Sequence, residues 1–242
     1  MLLAEDCTFY SLNHIDLKKV SFDCNNEDLN DFFFNDSLKY ANALLGKTYC
    51  FVENTSNPDE KQIVSFFTIA NDSLKTHNLP NSRKKKVETH ISREKILRSY
   101  PAILIGRLGV NIHCKAKRQE NTSSIGDQTL DFIKEWFLDT NNKTGCRFIL
   151  VDAYNDIDVC KFYERNGFGF VFSTETQEKE HFEITDPRPL RTRLMFYDLI
   201  NHRNNIKGKV LRNFYIQQVE KEVDEYQLGD QLLNEHLRTP YK

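Results

Sequence analysis

Between Arg147 and Phe168 the chain reads RFILVDAYNDIDVCKFYERNGF, and no other stretch restricts its fold as tightly. Phe148, Ile149, Leu150 and Val151 form an unbroken apolar run of strand length, the pattern of a strand covered on both faces. After the polar turn, Asn155 stands where a side chain can cap a helix. From Asp156 to Arg165 the apolar positions Ile157, Val159, Phe162 and Tyr163 fall near helical spacing, and Asn166-Gly167 supplies residues that tolerate a left-handed exit. Strand, turn, helix and glycine exit in this order set Tyr163 near a place where a cleft can open. A Phe-Tyr pair in a helix is more often core than chemistry, so the neighbouring segments decide its role.

The rest of the chain alternates strand and helix signals without an internal repeat. A first strand is expected near Thr8 to Leu12, followed by a helix from about Asn26 with Leu29, Phe32, Phe33 and Ala41 on its apolar side. Thr48 to Val52 and Ile63 to Ala70 read as a hairpin around the turn-rich ENTSNPDEK. Residues 71–99 form a polar insert, and within it SRKKKVETHISREKILR sets seven Lys and Arg against two Glu. There follow a strand from Ala102 to Val110, a helix from about Ser124 to Leu138, a strand from Phe148 to Ala153, the Tyr163 helix, and strands near Phe168 to Ser173 and Arg193 to Leu199. This pattern predicts an α/β (α+β) domain over residues 1–200, with a mixed sheet and helices on both faces. Leu211, Tyr215, Val219, Val223 and Tyr226 recur at helical spacing, and Leu232, Leu233 and Leu237 offer a second short helix after Gly229, so residues 201–242 read as a C-terminal helical extension.

At 242 residues the chain can bury one substantial core. It holds no run of about eighteen apolar residues, and its MLLA start runs into Glu5 and Asp6, so no membrane span or signal peptide is expected and the cytoplasm is the expected location. Its six cysteines form no CxxC pair, which speaks against both a zinc site and a disulfide framework. Cys160 lies three residues before Tyr163, yet no histidine has a motif relation to it, so a thiol nucleophile is the weaker reading.

Three segments carry a family resemblance. NDIDVCKFYERNGF resembles the "N..A..FYE..GF" signature that ends the GNAT acetyltransferase domain, with Val159 where the family more often has alanine. YPAILIGRLGVN, from Tyr100 to Asn111, resembles that family's central strand. FDCNNEDLNDFF, from Phe22 to Phe33, is similar to the "FDCG.E.LD.FL" opening of the branch that holds the tRNA-acetylating toxins of the TacT kind, and RTRLMFYDL stands where the family closes its sheet. The resemblance covers about residues 8–200. It implies a mostly antiparallel GNAT-type sheet, acetyl-CoA as co-substrate and no metal.

The family holds the coenzyme pyrophosphate in a "Q/R-x-x-G-x-G/A" loop, where glycines let backbone amides approach the phosphates. Here CKAKRQENTSSIGDQTL departs from that pattern: Ile125 and Gly126 match its last two positions, Ser124 replaces the middle glycine, and Asn121 replaces the Gln or Arg. Anion-binding parts persist, since Ser123 or Ser124 can cap the following helix with Asp127 or Gln128 nearby, and Lys115, Lys117 and Arg118 add charge. By resemblance Tyr163 is the general acid that protonates the departing thiolate, and the backbone of Leu108, Gly109 and Val110 holds the pantetheine arm, with a contact from Asn155 at the strand end.

ILIGRLGV offers no carboxylate to serve as a base for a lysine amine of pKa about 10.4, whereas an α-amine of pKa about 8 or lower is partly neutral already. This favours an aminoacyl-tRNA acceptor. Lys84, Lys85 and Lys86, with Arg83, Arg93, Lys95 and Arg98, can form a phosphate-binding patch although the whole chain has a formal net charge of −2. Arg107, beside the acetyl site, can guide a phosphate or pair with an acidic residue. The alternatives are an acetyltransferase for a protein or small-molecule amine and a non-catalytic GNAT-fold binding protein. An antitoxin-like protein is the macromolecular partner that the resemblance adds, while the C-terminal helices, if they do not pack on their own domain, offer a contact to a second copy of the chain or to another partner.

Overall fold

A computed structural model describes residues 1–55, 61–77, 79–92, 96–115, 122–139, 141–142 and 145–206. Contacts cluster into a unit Met1–Asn204 and a second unit Asn205–Lys242; the first is described here, and the expected helices of residues 211–237 lie outside the described residues.

The chain opens with a short helix α1 (Leu3–Asp6) and strand β1 (Cys7–Ser11), then reaches a two-residue strand β2 (Val20–Ser21). Helix α2 (Glu27–Asp31) starts at Asn26, whose side chain accepts from the Leu29 amide, and passes through one wide turn, Phe32–Asp36, into α3 (Ser37–Asn42). The wide turn turns Phe32 and Phe33 inward. Strands β3 (Lys47–Glu53), β4 (Lys61–Lys75) and β5 (Ser99–Val110) form an antiparallel meander, with helix α4 (Asn81–Val87) in the connection before β5. After α5 (Ile112–Lys115) and α6 (Ile125–Leu138) comes β6 (Phe148–Tyr154), parallel to β5. Helix α7 (Ile157–Arg165), β7 (Gly169–Phe170), α8 (Glu175–His181), β8 (Thr192–Asp198) and α9 (Leu199–Ile206) complete the order. The strands lie as β1-β3-β4-β5-β6-β8-β7, with β2 parallel to β4, so the sheet is mixed and mostly antiparallel.

The structure alters several expectations. The span expected as a polar insert is not polar throughout: β4 runs on to Lys75, β5 begins at Ser99, and Leu79 and Val87 join Leu74, Tyr100, Phe148 and Leu150 in a buried cluster. The run from Phe168 to Ser173 gives only the two-residue β7, because Val171 and Phe172 turn into the core. Helix α7 is capped by Asp156, whose side chain accepts from the Asp158 and Val159 amides, and not by Asn155. At its far end Gly167 takes φ +84°, the left-handed exit that the Asn-Gly pair announced.

Two facts about β5 position the site. Its pairing with β6 stops at Ile105↔Val151, so the strands part beyond that point. Opposite β4 the register jumps from Ile69↔Ile105 to Thr68↔Arg107, which makes Gly106 the extra residue of a bulge. The bulge turns Arg107 and Gly109 to the face that carries α2 and the Phe22, Phe33 and Phe66 cluster. The opposite face bears Phe9, Tyr49, Phe51 and Phe67 against Phe132 and Trp136 of α6. Burying each such ring contributes on the order of 1.5–3 kcal/mol. Among the described residues, no helix is long and apolar enough to cross a membrane, and no group of His, Cys, Asp and Glu is placed to hold a metal ion.

Candidate active site

Where β5 and β6 part, the sheet opens into a cavity of about 1120 Å³. Arg107, Leu108, Gly109 and Val110 line it from β5, Ser124, Ile125 and Gly126 from the start of α6, and Phe162 and Tyr163 from α7. On the cavity side, Gly106–Val110 have no partner strand among the described residues, where β4 alone pairs with this half of β5. Their amides and carbonyls there form a strand edge on which an extended ligand can lie.

The start of α6 is tied down closely. Ser124 Oγ accepts from the Asp127 amide, and Asp127 Oδ2 accepts from the Ser124 amide and hydroxyl, a reciprocal capping box. Gln128 N donates to the Ser124 carbonyl, which leaves the Ile125 and Gly126 amides as the first unspent donors at the positive end of the helix. Asp127 Oδ1 accepts from Asn166 Nδ2 at 2.7 Å and Arg165 Nε at 3.1 Å, joining this helix start to the end of α7. Burial alone would raise the Asp127 carboxyl, but bonds from Ser124 and Asn166 and the Arg165 charge outweigh it and hold the pKa below the ordinary value.

Tyr163 is buried, with its ring edge-on to Phe162 and Phe168. Its hydroxyl makes no hydrogen bond to a described residue, nor is it among the sealed, unpartnered polar atoms of the interior. Burial raises its pKa above the ordinary tyrosine value, so the group stays protonated at neutral pH.

Eight of the thirteen residues expected at the site meet in this cavity; the other five sit elsewhere. Ser123 is exposed, its carbonyl accepting from Gln128 Nε2. Asn155 Nδ2 donates to Glu175 Oε2 and the Leu190 carbonyl, away from the cavity lining. Lys84 and Lys85, with Lys86, ride on α4 outside the lining. Arg83, counted with that patch, is used up internally, its guanidinium donating to the Phe170 and Val171 carbonyls. The patch residues Arg93 and Lys95, and Lys117, Arg118 and Asn121 of the loop, lie outside the described residues.

The glycines have separate reasons. A Cβ on Gly109 would sit 2.6 Å from the Phe66 ring, so core packing requires that glycine. A Cβ on Gly126 would come within 3.0 Å of Phe162, so a bulky replacement there disturbs the α6–α7 contact before it tests phosphate binding. A Cβ on Gly106 would meet open space.

Sequence reading missed Asp28, Asp152, Tyr154, Arg165 and Arg191, all of which line the cavity. Tyr154 donates its hydroxyl to Asp28 at 3.0 Å, and Arg191 approaches the same carboxylate oxygen at 3.5 Å. One signal was present: Asp152 interrupts the apolar strand FILVDAY, where a carboxylate has no structural reason to stand.

No family model matches the chain, and no curated protein matches it. Solved structures do. The chain is similar to AtaTR in its crystal structure bound with AcCoA, at 18% identity and a TM-score of 0.58 over 84% of this chain and 99% of that one. It is similar to AtaT complexed with acetyl-methionyl-tRNAfMet, at 17% identity and 0.55 over 84% and 100%. A crystal structure described as a bacterial toxin gives 15% identity and 0.58 over 86% and 97%. These likenesses establish the GNAT-type fold that the sequence motifs implied.

Proposed function

We propose that this chain is an N-acetyltransferase that moves acetyl from acetyl-CoA to a primary amine, and that the acceptor is the α-amine of an aminoacyl-tRNA. One observation carries the reading: the open β5 edge, the unspent amides of α6 and Tyr163 meet in a single cavity. The fit to the coenzyme rests on these groups. The Leu108–Val110 edge offers backbone partners to the amides of a pantetheine arm, and Ile125 and Gly126 offer donors to a pyrophosphate. Arg165 lines the same wall, and its pairing with Asp127 cancels a carboxylate that would otherwise repel phosphate.

The backbone amides of the β5 edge polarise the thioester carbonyl as charge grows on its oxygen. Tyr163 protonates the sulfur as it departs. An ordinary thiol, of pKa about 8.5, is a weaker base than a tyrosinate, but the burial that raises Tyr163 also raises a thiolate leaving into the same cavity.

AtaT in its solved complex holds acetyl-methionyl-tRNAfMet, and a mutant AtaT toxin is bound to the C-terminus of the antitoxin AtaR and acetyl-CoA. By this likeness the acceptor here is a charged tRNA, Lys84, Lys85 and Lys86 approach its phosphates, an antitoxin-like protein masks the activity, and the cytoplasm is the site of action. The test is transfer of radiolabelled acetyl from acetyl-CoA to bulk aminoacylated tRNA. Label should enter the tRNA fraction and leave it under mild alkali, which cleaves the aminoacyl ester. Acetyl-CoA should also stabilise the chain, by about 2.7 kcal/mol at a hundred times Kd. Label entering only added protein or small amines would move the acceptor; no stabilisation at millimolar acetyl-CoA would end the enzymatic reading.

A further inference from the structure

We propose that Asp152 receives the acceptor's α-ammonium group and takes its proton, acting as the general base of the transfer. The inference rests on the acetyltransferase reading above and adds the residue that the central strand fails to supply. Asp152 is the first residue of β6 beyond the last pair with β5, Ile105↔Val151, and it lines the cavity at the point where the strands part. Its neighbours Val151 and Ala153 are buried, whereas the Asp152 side chain is open toward the cavity.

Its carboxylate makes no hydrogen bond or ion pair with any described residue. Two other carboxylates, Glu178 and Asp198, differ from it. Glu178 accepts from Arg193 Nε at 2.6 Å and from the Leu194 amide at 2.7 Å, and Asp198 pairs with Arg147 at 2.8 Å. Those acids are spent on the fold. Asp152 is not.

The groups that face it are Arg107 from β5, Asp72 from β4 and Glu178 from α8, with Arg193 of β8 held by Glu178. Burial pushes the Asp152 carboxyl above its ordinary value, Asp72 and Glu178 push it further, and Arg107 opposes them. A carboxylate raised in this way is a better match to an α-ammonium of pKa about 8.

Its face also suits the reaction. Strand alternation puts Asp152 with Phe148 and Leu150, on the side of the sheet that carries α4, while Tyr163 packs through Phe168 onto Tyr197, the partner of Ile149 on the other side. Base and acid thus approach the thioester from opposite faces. The α-ammonium gives one proton to Asp152, which passes it to solvent, and the neutral nitrogen attacks the carbonyl. As the C–N bond forms and the C–S bond breaks, the thiolate takes the Tyr163 proton, and the second proton of the nitrogen returns through water to Tyr163. The balance is one amide, one thiol and one proton released.

The test is Asp152→Asn, an isosteric change, assayed with acetyl-CoA and bulk aminoacylated tRNA. At pH 7 kcat/KM for charged tRNA should fall on the order of 10²- to 10⁴-fold, while acetyl-CoA affinity measured by calorimetry stays at the parent value. The deficit should shrink as pH rises past about 8, because the amine is then neutral without help. A loss that is equal at every pH, a loss that follows acetyl-CoA affinity, or no loss would each overturn the assignment. If the parent chain acetylates no charged tRNA, the functional reading falls and takes this role of Asp152 with it. If the parent is active and the variant matches it, only Asp152 falls.

Discussion

The two ends of the cavity are built on opposite plans. At the α6 end the polar side chains have partners inside the protein and only backbone amides are left to a ligand: Ser124 and Asp127 bond each other, and Asp127 also holds Asn166 and Arg165. At the β5–β6 end, among the described residues, the Asp152 carboxylate has none, and the Arg107 guanidinium donates to the carbonyl of Gly106 and stacks on Phe32, leaving its Nε buried without a described partner. A satisfied network makes a rigid platform, since each of its bonds would have to break before it moves. An unsatisfied group at a cavity wall is costly unless a ligand completes it. Under the proposed function, the first end presents the coenzyme and the second receives the acceptor.

The largest effect expected belongs to Tyr163, which sits between the ends. Tyr163→Phe keeps the ring that packs on Phe162 and Phe168 and removes only the hydroxyl. The variant should fold, bind acetyl-CoA as the parent does, and lose on the order of 10²- to 10⁴-fold in kcat. Full activity would remove Tyr163 from the chemistry, and unfolding would assign its hydroxyl to the core.

The two ends were also unequally legible in the sequence. The platform could be read because its signals are local: the pairing of Ser124 with Asp127 is a capping spacing, and Asn166-Gly167 is an exit. Even there, Asn155 and Asp156 are adjacent and equally able caps, and only the path of the chain chooses Asp156. The acceptor end depends on pairings between distant segments. Nothing local announces that β5 leaves β6 after Ile105, or that Gly106 is the extra residue that turns Arg107 to the other face. Residues 71–99 were misread for a similar reason. Leu74, Leu79 and Val87 are too widely spaced to declare a core, and they become one only against Tyr100, Phe148 and Leu150.

Asp127→Ala breaks the platform directly. It removes the return bond of the capping box and the acceptor for Asn166 and Arg165, at about 2 kcal/mol once the exposure of Arg165 is discounted. Melting should fall by roughly 4–8 °C. Because the folded-state pKa of Asp127 is depressed, its contribution is present above the unfolded value of about 3.9 and is lost as pH falls through the folded value. The gap between parent and variant should therefore be constant near neutrality and close in acid. A gap unchanged at pH 2 would show that the side chain acts by packing.

A smaller effect is expected from the patch on α4, which lies outside both ends. Reversing Lys84, Lys85 and Lys86 to Glu should weaken tRNA binding about tenfold at moderate salt and flatten the dependence of log K on log salt by roughly 0.7–0.9 for each phosphate that is no longer neutralised. Acetyl-CoA binding should not change, since none of the three lines the cavity. Arg83 is left out of this variant because it holds α4 against the Phe170 and Val171 carbonyls. Parallel salt plots for parent and variant would place the tRNA on another face.

The smallest effect should come from Cys160, which stands on α7 one turn before Tyr163 yet belongs to neither end of the cavity. Its thiol donates to the Tyr154 carbonyl at 3.6 Å, and burial raises its pKa, so at neutral pH it is a thiol and not the thiolate that nucleophilic transfer requires. A covalent acetyl-cysteine route would demand the reverse. Cys160→Ser keeps a donor toward Tyr154, and it should leave kcat within about twofold, the size of a local packing change and far below the 10²- to 10⁴-fold expected for a group in the chemistry. Mass spectrometry of the parent after a single turnover should find no acetyl group on Cys160. If the serine variant were as slow as Tyr163→Phe, or if an acetylated Cys160 accumulated, acetyl would pass through the protein, and the direct attack assigned to the acceptor amine beside Asp152 would be wrong.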